Sequence, residues 1–366
     1  MRIAEPIYDI TKSYEENLEQ GPKPPKRIPK RIWPPQRSWG RLFGMPIASR
    51  IGVPAGPLLD SSWCILAAQL GYDIITYKTI RTKKHPAHPL PNMVHVDPET
   101  PAQRGQTIQT KKPPKPRWYG DGIAVTNSFG IPSADEKTLK ADILYTKKNL
   151  QKGQVLIVSV FGTGPTETAI IKDFIHAAKI AKVGGADIIE LNCSCPNICG
   201  KKGQLFENPE MIKKVGSAVV SIAQNTPIIL KVGHTKEHSK MESLYLAADK
   251  AGIRGICGIN TIRMSVENAG TGTPALGEKR IMSGICGSPI YTEALSWTKH
   301  TKYILNRLGS KMTVLTTGGV SNPSHLTRFL ENGADIAMTA TGFMWYPHIA
   351  HLFHKSQQHK TTKAKH

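Results

Sequence analysis

Eight short apolar runs recur along the chain, and most are separated by helix-like segments that close on a small-residue turn. This rhythm limits the fold more than any other feature. The runs are Ile51–Ala55, Ile74–Tyr77, Leu156–Phe161, Ile188–Asn192, Ile228–Val232, Gly255–Asn260, Thr313–Thr317 and Ile336–Thr339. Most are continuously apolar, the pattern of parallel strands buried on both faces. Helix-like segments include Ser62–Leu70, Thr166–Lys182, Pro209–Gln224, Ser243–Ala251, Thr292–Leu308 and Pro323–Asn332. Several run into Gly71-Tyr72-Asp73, Gly184-Gly185-Ala186-Asp187, Gly252 or Gly333-Ala334-Asp335. Glycine just past a helix end takes the left-handed conformation without a Cβ penalty. Eight such units predict an α/β fold, a (β/α)8 TIM barrel. An open doubly wound sheet would carry G-x-G-x-x-G after its first strand, and the chain has none.

Around this core the reading is a Pro-rich basic arm over residues 1–40, a barrel over 41–355 and a basic tail over 356–366. Segment 21–40 has no helical or strand period and is expected to lie extended on the surface. One connection, from Arg81 to Gly122 after the second strand, is too long for a plain loop and is expected to cross the C-terminal face of the barrel. The net charge is +21, much of it in the arm and tail. Solvated basic arms are the preferred reading, ahead of attraction to nucleic acid. No apolar run is long enough to span a membrane, and the N-terminus lacks the core of a signal peptide, so the expected location is cytoplasmic. The six cysteines then read as thiols. Cys193, Cys195 and Cys199 lack a fourth ligand at zinc spacing, so no metal is expected. Cys64, Cys257 and Cys286 read as packing thiols.

A TIM barrel works at the C-terminal ends of its strands. Those ends carry Lys78, Asn192, Lys231, Asn260-Thr261, Thr317-Gly318-Gly319 and Thr339-Ala340-Thr341, with Asn127 after the long excursion. The turns after strands seven and eight suit a phosphate, since glycine lets backbone N–H groups approach an anion. Lys231 would set positive charge against the N1–C2 edge of a flavin. Asparagines offer donors and acceptors without charge, which suits a pyrimidine. A cysteine among them can serve as a base.

Leu191-Asn192-Cys193-Ser194-Cys195-Pro196-Asn197 resembles the N-x-S-C-P-N motif of class 1 dihydroorotate dehydrogenases. Asn127-Ser128-Phe129-Gly130-Ile131-Pro132, Tyr77-Lys78-Thr79, Ile228–Lys231, Ile259-Asn260-Thr261, Ser283–Ile290 and Thr317–Val320 are similar to further blocks of that family, in the same order, between about Ile51 and Phe353. The resemblance implies FMN in a TIM barrel and oxidation of dihydroorotate to orotate. Cys195 would take the C5 proton while the C6 hydrogen passes as hydride to flavin N5. Asn127, Asn192, Asn197, Asn260, Thr261 and Lys78 would hold the substrate. Ala55, Gly56, Lys78, Thr79, Lys231, Gly287, Gly318, Gly319, Ala340 and Thr341 would hold the cofactor. The chain departs from the family at Val53-Pro54-Ala55-Gly56 and at Ala340. A homodimer is the family default. The electron acceptor stays open between fumarate, quinone, and NAD through a separate electron-transfer partner. The alternatives are a dihydropyrimidine dehydrogenase-like enzyme and a tRNA dihydrouridine synthase-like flavoenzyme. Asn197 speaks against the first, and the short stretch after strand eight against the second.

Overall fold

The computed structural model describes residues 6–112, 122–194 and 204–363. The eight apolar runs become strands β1 (Ile51–Val53), β2 (Ile74–Ile80), β3 (Val155–Val160), β4 (Ile188–Asn192), β5 (Ile228–Lys231), β6 (Gly255–Gly258), β7 (Thr313–Thr317) and β8 (Ile336–Met338). All pair in parallel with their sequence neighbours, and β8 closes on β1 through Ala337 opposite Ile51. Each strand leads to a helix: Ser61–Leu70, Glu136–Asn149, Glu167–Val183, Pro209–Ala223, His238–Lys250, Tyr291–Arg307, Pro323–Glu331 and Ile349–Lys363. The expected (β/α)8 barrel is the fold.

Local chemistry explains the element ends. Asp60, Asp135, Thr166, Asn208 and Asn322 each accept a backbone N–H in the first turn of the helix they open. Gly71 ends its helix at φ +110°, a conformation that disfavours any residue with a Cβ. Inside the barrel, Ile74, Val155, Ile157, Ile188, Ile229, Leu315, Ile336 and Met338 form one buried cluster. Leu42 and Ile47 join it from a hairpin, Gly40–Leu42 with Met45–Ile47, that plugs the N-terminal end. Its turn uses Phe43 at φ +49° and Gly44 at φ +89°, the paired positive φ of a tight two-residue hairpin.

Two insertions cover the other end. The long segment after β2 supplies Met93–His95 and Thr107–Gln109, and a second insertion after β6 supplies Ile262–Glu267 and Met282–Gly287. Together with Ala124–Asn127 they form a five-stranded sheet. The two strands of the second insertion pair with each other, but their outer partners lie far away in sequence, so the sequence carries no signal for the sheet. Thr107–Gln109 pairs with Ser265–Glu267.

The arm differs from the sequence expectation in its first part. Ser13 caps a helix over Tyr14–Gln20 with a complete capping box. Ile7, Tyr8 and Tyr14 are buried in the main core. Residues 21–35 have no regular element, as expected of so many prolines. The basic tail is helical through Lys363. Among the described residues no helix is long and apolar enough to cross a membrane.

Candidate active site

One cavity opens at the C-terminal mouth of the barrel, under the five-stranded sheet. Its wall brings together Ala55, Gly56, Lys78, Thr79, Asn127, Asn192, Lys231, Asn260, Thr261, Gly287, Gly318, Gly319, Ala340 and Thr341. These include every described residue that the family resemblance assigns to substrate or cofactor. Of the other strand-end residues, Thr317 lines the cavity too, whereas Thr339 turns its hydroxyl to the Val320 carbonyl instead. Cys195, Asn197 and Cys199 lie outside the described residues, as does Pro196.

The two lysines differ in their surroundings. Lys231 is 3% exposed, and Nζ donates to the Ala55 carbonyl at 3.1 Å. Lys78 is 8% exposed, donates to the Pro132 carbonyl at 3.0 Å, and carries its ammonium 5.1 Å from the centre of the Tyr14 ring. Both are buried cations on the cavity wall, and a buried charge calls for a counter-charge or a dense set of acceptors. An anionic ligand meets that demand.

The asparagines are held at one end and offered at the other. Asn192 donates to Thr79 Oγ1 at 2.9 Å, and Thr79 in turn meets Ser159 Oγ at 2.9 Å. Asn260 donates to the Ser194 carbonyl at 2.9 Å. Asn127 sits in the middle of the covering sheet, opposite both Met93 and Gly284, and donates to Cys286 Sγ at 3.2 Å. Thr261 Oγ1 is buried without a hydrogen-bond partner among the described residues. Such an orphan hydroxyl is costly unless a ligand completes it.

The small-residue turns have the expected backbone. Gly318 lies at φ +138° and Gly319 at φ +70°. A Cβ on Gly319 would collide with the Tyr291 backbone at 2.6 Å, so only glycine fits there. Ala340 and Thr341 open the short helix Thr341–Trp345, whose first N–H groups have no partner within the helix. Gly56 at φ +141° has open space where a Cβ would stand, so the backbone there offers a flat wall.

Several lining residues were given no role by the sequence reading. Tyr8 and Tyr14 come from the arm, Met93 from the excursion, and Phe129 and Ile131 from the Asn127 segment. They make an aromatic and apolar end, in which Phe129 packs edge-on against Tyr8 at 6.0 Å and against Tyr14 at 6.1 Å. Cys286 packs against the core, as expected, but does more. It is only partly buried and lines the cavity, and burial of its sulfur pushes the thiol up to about 12, against the pull of Lys231 and Asn127. It is therefore a neutral thiol. Its place beside Gly287 in the block Ser283–Ile290 was the one available hint.

Comparison with known proteins gives a consistent picture. The family model described as dihydroorotate dehydrogenase matches residues 105–355. A protein of Dictyostelium discoideum named dihydroorotate dehydrogenase is 40% identical, over 97% of this chain and 98% of that one. The catalytic subunit of dihydroorotate dehydrogenase B (NAD(+)) from Pyrococcus furiosus is 30% identical, over 61% of this chain and 69% of that one. The corresponding subunit from Methanocella arvoryzae is 24% identical over 73% of each chain.

Proposed function

This chain belongs to the dihydroorotate dehydrogenase family and oxidises dihydroorotate in pyrimidine biosynthesis, and we propose that it does so with FMN across the barrel mouth and Cys195 as the proton acceptor. The observation that supports this reading is the convergence of residues from the ends of seven of the eight barrel strands on one cavity.

The residues fit a flat cofactor with a phosphate tail. Gly318, Gly319, Ala340 and Thr341 would take the phosphate through backbone N–H groups. Ala55, Gly56, Thr79 and Gly287 would frame the ring system, with the Lys231 ammonium against its N1–C2 edge. Bound FMN supplies the acceptor for the C6 hydride. The protein supplies everything else. Asn127, Asn192, Asn260, Asn197 and the free Thr261 hydroxyl would match the alternating carbonyl and N–H groups of the pyrimidine. Lys78 would meet its carboxylate. Loss of the C5 proton to a thiolate balances loss of the C6 hydride, and the ring gains its double bond. Ser194, the residue before Cys195, is fully buried and held by Asn192, Asn260 and Gln204, so the base would stand on an anchored turn. The homodimeric state implied by the family resemblance, and the cytoplasmic location expected from the sequence, belong to the same reading.

The test is direct. The purified protein should be yellow, and dihydroorotate added without oxygen should bleach it. Cys195→Ser should keep the colour and bind orotate but bleach at least about a hundredfold more slowly, the scale of a general base. A colourless protein that takes up no FMN overturns the cofactor, and normal bleaching by Cys195→Ser overturns the base.

A further inference from the structure

Strand β4 carries Ile188, Glu190 and Asn192 on one face, since alternate residues of a strand point the same way. Ile188 belongs to the cluster inside the barrel and Asn192 lines the cavity. Glu190, between them, therefore faces the barrel interior just beneath the cavity floor. It is 0% exposed, and among the described residues neither carboxylate oxygen has a nitrogen or oxygen partner, the buried Cys257 thiol being the group that leans on it. A carboxylate in such a place is among the most expensive groups a protein can bury, unless an opposite charge lies near.

The nearby candidate is Lys231. It sits on the neighbouring strand, two residues beyond Ile229, which is the register partner of Glu190. Cys257 lies opposite Lys231 on the next strand. Burial pushes its thiol up first of all, the Glu190 charge and hydrogen bond push the same way, and Lys231 pulls it down, so the thiol lies close to both charges. The two ions thus share one low-dielectric compartment without direct contact.

We propose that Glu190 is a positioning residue for the redox chemistry: its carboxylate balances Lys231 from below and so sets the net positive charge that the flavin ring meets. This rests on reading the cavity as a flavin site. With Glu190 in place the reduced ring is stabilised by a partly compensated cation. Without it the Lys231 charge acts in full, and the reduced, more anionic ring is favoured.

The experiment compares Glu190→Gln with the wild-type holoenzyme by sulfite titration and by flavin midpoint potential. Sulfite adds to flavin N5 and leaves negative charge near N1, so it reports the same field. Glu190→Gln should bind sulfite about tenfold more tightly, which for a two-electron couple corresponds to a potential higher by about 30 mV. Thr76→Val removes another buried, unpartnered interior hydroxyl without changing charge, and should move neither reading. Equal shifts in both variants, or none in Glu190→Gln, overturn the proposal while leaving the flavin site intact. A wild-type protein without flavin overturns the reading of the cavity and the proposal with it. If Glu190→Gln alone fails to fold, adding Lys231→Met should restore a folded barrel, because removal of both charges leaves no bare ion. No restoration also overturns the pairing.

Discussion

At the N-terminal end of the barrel, Asp73 is wholly buried and spends its polar capacity inside the protein. It accepts from Arg31 of the arm and, at 2.5 Å, from Ser49, while Arg31 also donates to the Ala68 carbonyl and stacks on Trp33. Gln154 and His354 close the same region by donating to the carbonyls of Tyr72 and Gly71. At the C-terminal end, Lys231 donates to a carbonyl and makes no direct ion pair, and Thr261 Oγ1 has no hydrogen-bond partner, among the described residues. Both ends bury charge. One end brings its carboxylate and guanidinium into direct contact, with Arg31 Nε left without a partner among the described residues, and the other keeps Lys231 and Glu190 apart and leaves the Thr261 hydroxyl open to a ligand. The arm links them, since it sends Arg31 to the bottom and Tyr14 to the mouth.

The comparison predicts where mutations register. Arg31→Ala leaves Asp73 buried without its cation and should cost about 3–5 kcal/mol of stability. Cofactor content and orotate affinity per folded molecule should not change. Denaturant unfolding alongside orotate titration checks both. A variant of normal stability, or one that folds but loses orotate affinity, breaks the division between the two ends.

The bottom should also show opposed pH effects. Burial raises Asp73 to about 6, against the pull of Arg31 and Ser49. Its contribution to stability is fully present below the ordinary carboxylate range and is lost as pH rises through about 6. Burial lowers His354 to about 4. Its contribution is present above the ordinary imidazole value and is lost as pH falls through about 4. Each shift is worth about 3 kcal/mol. The two nearly cancel between about pH 4 and 6.5, so the unfolding midpoint of the wild type should change little from this region. His354→Gln removes the rising partner, and its stability should fall across that window. Asp73→Asn should do the opposite from a lower starting level. Parallel pH profiles for all three proteins would remove the basis for this balance.

At the mouth the effects should appear in binding. Asn127→Ala removes a carboxamide from the centre of the covering sheet and should weaken orotate binding by about 1–3 kcal/mol, leaving FMN content and the unfolding midpoint nearly unchanged. A fall in stability like that of Arg31→Ala would mean that the mouth, too, is built for structure.

The two ends also differ in how far the sequence reveals them. The barrel was legible because strands buried on both faces must be continuously apolar and because Gly71, Gly185, Gly252 and Gly333 mark helix ends with positive φ. Most of the site was legible because a TIM barrel converts strand ends into one mouth, so that Lys78, Asn192, Lys231 and Asn260 could be read as neighbours. Glu190 was hidden in the same strand as Asn192, since an apolar run does not say what an inward carboxylate faces. Arg31 and Tyr14 were hidden for a different reason. The arm has no period, and its path is fixed only by distant groups such as Asp73 and Phe129.

Tyr14 gives the smallest expected effect and the finest test, because it belongs to the arm but acts at the mouth. Its ring lies 5.1 Å from the Lys78 ammonium, within the reach of a cation–π contact, and Lys78 also donates to the Pro132 carbonyl. The ring and the carbonyl together hold the ammonium at the cavity wall. Tyr14→Leu keeps apolar bulk against Phe129 but removes the π face. A contact of about 1 kcal/mol should then appear as an approximately fivefold rise in the KM for dihydroorotate, with flavin potential unchanged. Tyr14→Phe keeps the face and should behave like the wild type. Equal losses in both variants would assign the effect to the hydroxyl, and no loss in either would leave the arm a strap for the barrel with no part in its chemistry.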